Sequence, residues 1–268
     1  MAALQQALVA FGANLGVVDS MWKAILADLR QCHQMEIDAV SSLTRSRAIG
    51  GPPGQPDYGN AAIRLRTTLD PYELLETLLQ LEARRGRIRS QLWSPRTVDL
   101  DLLLLEHEII ETDRLSLPHP RLALRPFVLR PAVEIAADMV DPRTGRRLDE
   151  LWENLRRRPF VLEVWGETTA AVRQCNELLA GLIRKKGPPL AGAVVVREST
   201  AEPDAVPPNL VLDCRPAGRV QSDTGGQCGE MRDRKTPLAY RAPVLHLDLA
   251  DGESLRRELS AVLQALEE

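Results

Sequence analysis

The hydrophobic and polar positions of the first 155 residues repeat with two periods, one typical of strands and one typical of helices. Strand-like alternation or short apolar runs occupy four segments, at 7–11, 37–43, 61–69 and 98–105. Helical spacing of apolar residues lies between the first two segments, through Trp22 and Leu29, and between the last two, from Asp70 to Gly86. The pattern therefore predicts the element order β-α-β-β-α-β.

The second predicted helix has a clear start in the sequence. Asp70 can cap its N-terminus, Pro71 suits the first turn, and Glu73 can complete a capping box with Asp70. Two further helices are predicted, one from Pro126 and a short one over 148–155. The order of elements predicts an α+β domain of the ferredoxin-like type, in which one antiparallel sheet carries both helices on one face. The other face is expected to be free for a ligand.

Beyond residue 159 the pattern changes to strands that alternate with helices. Six segments are predicted: strands at 160–165, 192–196, 210–214 and 244–249, and helices at 168–183 and 253–266. Such alternation predicts a small α/β domain with a parallel sheet. The charged, proline-ended segment Arg156-Arg157-Arg158-Pro159 is typical of a domain boundary, so we expect two domains, 1–158 and 159–268.

Composition and charge exclude several classes of protein. With 34 Lys and Arg against 37 Asp and Glu, the 268-residue chain has a net charge of −3, so no whole-chain field would concentrate nucleic acid or anionic lipid. No apolar run approaches the length of about 20 residues that a membrane helix needs. The four cysteines are scattered without metal-ligand spacing. We expect a soluble, cytoplasmic protein with no nucleic-acid or membrane partner.

The strongest chemical signal is the segment Trp93-Ser94-Pro95-Arg96-Thr97-Val98-Asp99-Leu100-Asp101. Residues two apart on a strand face the same side, about 6 to 7 Å apart, so Asp99 and Asp101 are expected to project their carboxylates together. Such a pair can bind Mg²⁺, which takes one or two carboxylates and completes its octahedron with water and phosphate oxygens. An isolated pair of this kind is more often a solvated strand edge, and the flanking residues decide between the two interpretations.

Those flanking residues resemble the signature W-G-P-R-T-x-D-L-D of the 6-hydroxymethyl-7,8-dihydropterin pyrophosphokinase family, with Ser94 as the departure within it. Other stretches resemble family motifs in order and approximate spacing: Phe11–Gly16, Gln55–Asn60, Glu82–Arg89 and Leu117–His119. The resemblance extends from about Ala7 to Leu155. It implies a ferredoxin-like fold and an enzyme of folate biosynthesis that, with Mg²⁺, transfers pyrophosphate from ATP to the hydroxymethyl group of the pterin and leaves AMP.

The resemblance also implies which residues act. Asp99 and Asp101 are expected to hold Mg²⁺ and, with Arg87 and Arg96, to carry catalysis. The pterin is expected to lie against residues at four family ligand positions: Tyr58, Asn60, Trp93 and Phe127. The nucleotide is expected to contact a further set: Glu82, Arg89, Arg114, His119 and Arg125. Arginine suits this role because its guanidinium matches phosphate oxygens, and phosphoryl-type transfer depends on positioning and charge neutralisation.

Some of these assignments have structural alternatives. Phe127 lies on an apolar helix face and can equally fill the core, and the arginines that follow the second helix also suit a helix C-terminus. The sequence departs from the family at Arg47, Leu92 and Pro120, and the loop from Gly86 to Trp93 is short. These departures lie in substrate loops and leave the metal pair intact, so they bear on substrate affinity rather than on the chemistry.

The second domain carries no complete catalytic motif. Gly166 lies between a predicted strand and a predicted helix, as in a phosphate-binding loop, but Ala171, Val172 and Arg173 stand where G-K-[ST] is required. A degenerate P-loop-kinase-like domain, a docking or oligomerisation module, and a second nucleotide-related activity all remain open. For the first domain the alternative is a decayed, non-catalytic scaffold. The joint presence of five residues argues against it: Asp99, Asp101, Arg96, Tyr58 and Asn60.

Overall fold

The computed structural model describes eight stretches of the chain: residues 4–49, 52–87, 94–165, 169–186, 194–198, 208–213, 243–247 and 252–266. The chain divides into two compact units, one formed by Met1–Arg157 together with Ser260–Glu268 and one formed by Arg158–Leu259. The chain thus leaves the first unit close to the proline-ended segment and returns to it with its last residues.

The first unit is built on a five-stranded antiparallel sheet. Its strands in chain order are β1 (Gln5–Ala13), β2 (Met35–Val40), β3 (Thr44–Ser46), β4 (Tyr58–Thr67) and β5 (Asp99–Leu105). They lie in the order β2-β4-β1-β5, and β3 pairs with β4 beyond the end of β2. The central strands β1 and β4 pair over nine residues, from Gln5 opposite Thr67 to Ala13 opposite Gly59. Together with its helices, the sheet makes this unit an α+β structure.

Two helices, α1 (Val18–Arg30) and α2 (Pro71–Arg84), connect the strands of this sheet. α2 begins as the sequence predicts: Asp70 Oδ1 accepts hydrogen bonds from two N–H groups of the first turn, and the Glu73 carboxylate accepts one from the Asp70 N–H. A capping side chain of this kind contributes about 1 kcal/mol. The helix ends before Gly86, whose φ of +80° lies in the region that favours glycine.

One face of the sheet forms the core together with α1 and α2. The side chains of the strands on this face are large and buried, for example Phe11 of β1, Ile63 of β4 and Leu100 of β5. They belong to one hydrophobic cluster with Ile25 of α1 and Leu78 of α2. Burying a side chain of this size contributes about 1.5 to 3 kcal/mol relative to leaving it exposed. This face therefore provides much of the stability of the first unit.

Part of the opposite face is covered, which corrects the expectation that this face is free, because a third helix packs against it. This helix, α3 (Pro126–Ala136), contacts β1, β3 and β4. Arg64 of β4 donates to the Ile135 carbonyl at 3.4 Å and to the Asp138 carboxylate at 2.7 Å. A further helix, α4 (Leu148–Arg156), packs against α3. In β4 the polar residues Arg64 and Arg66 alternate with apolar ones, a pattern typical of a half-solvated strand, yet part of β4 is covered on both faces.

The remaining elements of the first unit are short. One hairpin pairs β6 (Ile110–Glu111) with β7 (Ser116–Leu117), and another pairs β8 (Val140–Asp141) with β9 (Arg146–Arg147). A 3-10 helix spans Leu122–Leu124. The strand predicted over 37–43 corresponds to β2, which begins at Met35 and ends at Val40, and β3 is a further strand that the sequence did not predict. The Ser41 side chain separates them, because its Oγ accepts the Ala62 N–H at 2.8 Å in place of a strand carbonyl.

The second unit contains a four-stranded parallel sheet in its described part. Its elements are β10 (Phe160–Trp165), α5 (Thr169–Lys186), β11 (Val194–Glu198), β12 (Leu210–Asp213), β13 (Val244–His246) and α6 (Gly252–Ala265). The strands lie in the order β11-β10-β12-β13. α6 begins in this unit, and its residues from Ser260 onward belong to the first unit. The loop at Gly166 that was compared with a phosphate-binding loop lies outside the described residues.

None of the described helices combines the length and the apolar character needed to cross a bilayer.

Candidate active site

Asn60, Gly12 and Asp99 lie side by side on one rung of the sheet, on β4, β1 and β5 respectively. Gly12 leaves the space between its neighbours open. A Cβ atom at this position would lie 3.7 Å from Asp99 Cβ, 3.9 Å from Asn60 Oδ1 and 4.0 Å from Tyr58 Cδ1. The glycine therefore lets an amide, a carboxylate and an aromatic ring surround one small space on the sheet.

Asp101 follows two residues after Asp99 on β5 and lies opposite Ala10 of β1. Leu100 between the two acids is buried in the core with α1 and α2, so both carboxylates belong to the other face, as their spacing predicts. Burial raises the pKa of Asp99, and the nearby negative charge of Asp101 raises it further. Two acids of like charge thus share a partly closed space.

This donor set is compatible with Mg²⁺. Magnesium usually takes one or two protein carboxylates and keeps water and phosphate oxygens as its other ligands. Asp99 and Asp101 supply two carboxylates, and among the described residues no group of three or more His, Cys, Asp or Glu could hold a metal ion. The raised pKa of Asp99 indicates that the pair favours an added positive charge, either a proton or a cation. The residues therefore fit a magnesium ion that is shared with a phosphate-bearing ligand, not a closed metal cage.

Two arginines compensate the charge of Asp99. Arg87 donates to Asp99 Oδ1 and Arg96 donates to Asp99 Oδ2, so the carboxylate lies between two guanidiniums. Both arginine side chains are largely buried, with 14% and 20% of their surface exposed. Their positive charges lower the pKa of Asp99 but do not outweigh burial and Asp101. The structure thus brings together all the residues that the family resemblance assigns to catalysis: Arg87, Arg96, Asp99 and Asp101.

Glu82, near the end of α2, lies behind Arg87. Its side chain is 3% exposed and accepts a hydrogen bond from the Arg87 guanidinium. The same oxygen accepts the Leu100 N–H at 2.7 Å, which fastens the end of α2 to β5. The structure therefore gives Glu82 a positioning contact with Arg87, where the sequence predicts a contact with the nucleotide.

Asn14, in the turn after β1, is a residue that sequence reasoning missed. Its N–H donates to the Arg96 carbonyl at 3.1 Å, and its Oδ1 accepts the Arg96 N–H at 2.8 Å. Its Nδ2 donates to the Pro56 carbonyl at 3.2 Å. One buried side chain thus fastens the β1–α1 turn, the loop before β4 and the segment that carries Arg96. An asparagine among glycines signals only a turn, so partners 42 and 82 positions away could not be inferred from it.

Tyr58 and Asn60 lie at the start of β4 and not in the loop before it. The Tyr58 hydroxyl donates to the Ser94 carbonyl at 3.4 Å, and the Arg96 guanidinium lies 6.0 Å from the ring centroid. Burial raises the pKa of Tyr58, so the hydroxyl stays protonated at neutral pH. Asn60 is buried, and its Nδ2 donates to Ser46 Oγ of β3 at 2.9 Å. Ser46, another residue that the sequence did not indicate, therefore orients the Asn60 amide.

His119 lies shortly after β7, and its N–H donates to the Leu103 carbonyl of β5 at 2.8 Å. Its Nδ1 accepts the Arg121 N–H at 3.1 Å, so the proton of the neutral ring is on Nε2. Burial, together with the positive charges of Arg125 and Arg121, lowers the pKa of His119 to about 3. The charge of Asp99 acts in the opposite direction, which places the ring within electrostatic reach of the carboxylate pair. His119 is therefore a neutral hydrogen-bond donor at physiological pH.

The remaining predicted ligand residues are less closely grouped. Arg125 lies over the Phe127 ring, with its guanidinium carbon 5.6 Å from the centroid, and both side chains are half-buried at the start of α3. Phe127 is thus not one of the fully buried side chains of that helix. Arg114 is 70% exposed and contacts Glu76 at 4.0 Å, and no contact in the described part of the chain joins it to the carboxylates. Two further predicted residues lie outside the described stretches: Arg89 and Trp93.

Known proteins resemble the part of the chain that carries this site. Residues 8–137 match the family model of the 7,8-dihydro-6-hydroxymethylpterin-pyrophosphokinase (HPPK). A 2-amino-4-hydroxy-6-hydroxymethyldihydropteridine pyrophosphokinase of Synechocystis sp. is 46% identical over 149 residues, which are 56% of this chain and 75% of the relative. A protein of the same name from Pseudomonas aeruginosa is 36% identical over 161 residues, which are 58% of this chain and 98% of the relative. This chain therefore belongs to the 7,8-dihydro-6-hydroxymethylpterin-pyrophosphokinase family.

Proposed function

We propose that this chain transfers the pyrophosphate group of ATP to 6-hydroxymethyl-7,8-dihydropterin, in folate biosynthesis, and releases AMP. The hydroxymethyl oxygen bonds to the β-phosphorus, the bond from that phosphorus to the α-phosphate oxygen breaks, and the hydroxyl proton is lost. The observation that carries the proposal is the meeting of Asp99 with Arg87 and Arg96, next to Tyr58 and Asn60. Relatives named for this reaction are 36% to 46% identical to the chain.

Asp99 and Asp101 are the residues that we expect to hold Mg²⁺, whose chemistry is to neutralise and orient polyphosphate oxygens. The two oxygens of Asp99 are both engaged by guanidiniums in this structure. They cannot serve a cation and two arginines equally, so we propose that Arg87 and Arg96 turn toward the phosphates when substrates bind. There they neutralise charge on the transferred group, which is the main task of an enzyme that catalyses phosphoryl-type transfer.

The pterin is a flat bicyclic ring, and we propose that it binds between Tyr58 and Phe127. Both rings are half-buried and so present a face to a ligand. Flat rings bind well between aromatic faces when a few fixed hydrogen bonds set their orientation. Asn60 suits that task, because Ser46 holds its Nδ2 and leaves its Oδ1 available to a pterin N–H. Trp93 keeps its proposed place at the same ligand.

For the nucleotide phosphates we propose a path toward His119. With Nδ1 engaged by the main chain, Nε2–H is the donor that His119 can offer to a phosphate oxygen. A neutral donor adds no charge, and in this proposal Arg125, Arg114 and Arg89 supply the positive charge around the polyphosphate. The Arg125 guanidinium also lies over the Phe127 ring, which links the proposed nucleotide and pterin sites.

Glu82 and Asn14 act indirectly in this proposal. Glu82 holds the guanidinium of Arg87, and Asn14 holds the main chain of Arg96 on both its N–H and its carbonyl. Two arginines that must turn toward a phosphate benefit from supports that limit the other movements of each residue. Both residues are therefore positioning residues.

We also propose that the first unit is ferredoxin-like and that it is the catalytic domain, over residues 1–158. The strand order β2-β4-β1-β5, with α1 and α2 on one face, supports the ferredoxin-like arrangement. α3 and α4 then form an added layer on the other face. Every residue that we propose to contact a substrate or the metal ion lies between Tyr58 and Phe127. Residues 159–268 are therefore proposed to be a separate α/β domain, whose last residues, from Ser260, pack with the first unit.

The full chain can be tested directly. It is incubated with ATP, Mg²⁺ and 6-hydroxymethyl-7,8-dihydropterin, and the nucleotides are separated by chromatography. We expect AMP and the pterin pyrophosphate to form in equal amounts, and no AMP to form when either the pterin or Mg²⁺ is left out. Release of ADP and phosphate, or AMP formation that does not depend on the pterin, would rule out the proposed reaction.

A further inference from the structure

The C-terminal end of the chain contacts the loop that precedes the pterin residues of β4. Gln264 Nε2 donates to the Ala48 carbonyl at 3.1 Å, although the two residues are 216 positions apart. Both residues belong to the first unit, because the chain returns to that unit at Ser260. The family model matches residues 8–137. A segment outside the matched family region therefore contacts a loop inside it.

Gln264 lies on a part of α6 that is held in place by burial. Leu263 next to it is fully buried, and Val262 and Leu266 are 8% and 9% exposed. The Leu266 N–H still donates to the Leu263 carbonyl, so helical geometry continues to the end of the described residues. Residues near the end of a helix often unfold locally, and buried apolar neighbours oppose this. The side-chain amide of Gln264, which is the hydrogen-bond donor, therefore extends from a well-packed part of the helix.

Ala48 lies close in sequence to Ser46, which orients the Asn60 amide that we assign to the pterin. It follows two residues after Ser46, which pairs with Tyr58 across the β3–β4 ladder and accepts the Asn60 Nδ2. The described residues between Ser46 and Tyr58 form neither strand nor helix. This loop is fastened near its end, where Asn14 Nδ2 donates to the Pro56 carbonyl. The contact at Ala48 fastens its beginning.

We propose that the end of α6 is a positioning element for the pterin site. Gln264 holds the start of the loop at Ala48 and thereby limits the movement of Ser46 and, through it, of the Asn60 amide. Restraining a loop in its binding conformation improves affinity because less order is lost when the ligand binds. The inference rests on the proposed function, since it assigns the pterin to Asn60. It links affinity for the pterin to a segment outside the matched family region.

Kinetics of the full chain provide one test. Gln264→Glu keeps the size of the side chain and removes its donor, so we expect the KM for the pterin to rise about fivefold, with kcat and the KM for ATP within about twofold. Glu253→Gln is the matched control, because it breaks a surface pair with Arg257 on the same helix and should change none of the three constants. A pterin KM that stays at the wild-type value in both Gln264→Glu and Gln264→Ala would overturn the inference.

Limited proteolysis provides a test that needs no substrate. Arg47 is exposed, and trypsin can cut the bond between Arg47 and Ala48, whose carbonyl Gln264 holds. We expect Gln264→Glu to speed this cut about fivefold, measured by mass spectrometry of the fragments, and Glu253→Gln to leave it unchanged. An unchanged rate in both Gln264 variants would sink the positioning role. A faster cut in a chain that makes no AMP would keep the Ala48 contact and refute the proposed reaction instead.

Discussion

At the residue scale, opposing effects act on the pKa of Asp99. Burial and the charge of Asp101 raise its pKa, while Arg87 and Arg96 favour its ionised form. Such a combination is poor for stability and useful for function, because perturbed carboxylates in a pocket are typical of sites that bind a cation or move charge. In our proposal, the two arginines hold Asp99 until phosphate oxygens of a bound ligand accept their hydrogen bonds instead.

Removing either carboxylate charge is expected to abolish turnover and to spare the fold. Asp99→Asn and Asp101→Asn each keep the side-chain volume but remove a ligand charge, so we expect kcat to fall about 100-fold or more. The thermal unfolding midpoint should stay near that of the wild type. Asp113→Asn, at an exposed turn, is the control and should be fully active. Normal turnover in either site variant would mean that the carboxylates are not the metal site.

The ring of Tyr58 is expected to contribute to pterin affinity and not to the chemical step. Tyr58→Ala removes a stacking face, so the KM for the pterin should rise about tenfold or more, while the KM for ATP changes little. Tyr58→Phe removes the hydroxyl contact with Ser94 but keeps the ring, and we expect its KM for the pterin to stay within about threefold. A rise confined to the KM for ATP would contradict our placement of the pterin.

His119 is expected to be neutral over the whole physiological range. Its folded-state pKa of about 3 lies below the ordinary value of 6.5, so the unfolded chain takes up a proton first. The stabilising contribution of neutral His119 is therefore present above pH 6.5 and is lost as the pH falls toward 3. Nitrogen-15 NMR of the histidine rings should show His119 protonated on Nε2 alone at pH 7, and a titration near pH 6.5 would contradict this assignment.

At the scale of elements, the features that could be predicted are those that depend on residues close together in the sequence. The start of α2 follows from Asp70 and Glu73, three positions apart, and the shared face of Asp99 and Asp101 follows from the strand period. The added layer on the sheet could not be predicted in this way. Arg64 has the polarity of a solvated position, and only contact with Asp138, 74 positions away, shows that it is covered.

The same limit applies to the site. The proximity of Arg96, Asp99 and Asp101 could be predicted, because one short motif contains all three and the strand period places both acids on one face. Asn14 and Ser46 could not be recognised, because each acts by orienting another residue through a hydrogen bond to a distant segment. Asparagine and serine are common in turns and strand ends, so only the folded chain shows which distant residues they orient.

The packing of β4 against α1 makes a specific prediction at Gly59. A Cβ atom at Gly59 would lie 2.5 Å from Val18 Cγ1, a contact that real side chains do not tolerate. Because the branched Val18 side chain is stiff and buried, Gly59→Ala should lower the free energy of unfolding by about 1 to 3 kcal/mol. Denaturant unfolding would measure this loss.

Two further variants control that measurement. Gly12→Ala should be tolerated by the fold, since the nearest atom to its Cβ would be 3.7 Å away, an ordinary contact. Adding Val18→Ala to Gly59→Ala should recover part of the loss, because it removes the atom that clashes. Simple additivity of the two losses would show that the strain lies elsewhere.

At the scale of the whole molecule, the family region and the first unit do not coincide. The family match ends at residue 137, whereas the first unit extends to Arg157 and includes the chain from Ser260. The part beyond the match contributes α4 and the end of α6. The groups to which we assign catalysis lie in the family region. The further segments contact it, since α4 packs against α3 and Gln264 donates to the Ala48 carbonyl. Residues 159–268 as a whole are thus not required for the chemistry we propose.

A chain that ends at Arg158 is therefore expected to fold and to form AMP, because every residue with a proposed catalytic or ligand role lies before it. It lacks Gln264, so its KM for the pterin should rise by about the same factor as in full-length Gln264→Glu, with kcat little changed. It also lacks Leu263 and Leu266, which are buried in the full chain, so its unfolding midpoint should be lower.

Folding and activity of this shortened chain must be measured separately for the comparison to be decisive. Circular dichroism and a cooperative unfolding transition establish the fold, and the pterin-dependent formation of AMP establishes the site. Because the shortened chain and Gln264→Glu lose the same hydrogen bond, equal pterin KM values would locate the whole contribution of the C-terminal segment in that contact. A larger rise in the shortened chain would assign a share to the buried leucines. A folded fragment without activity would show that residues beyond Arg158 complete the active site, and the catalytic domain could then no longer be placed at residues 1–158.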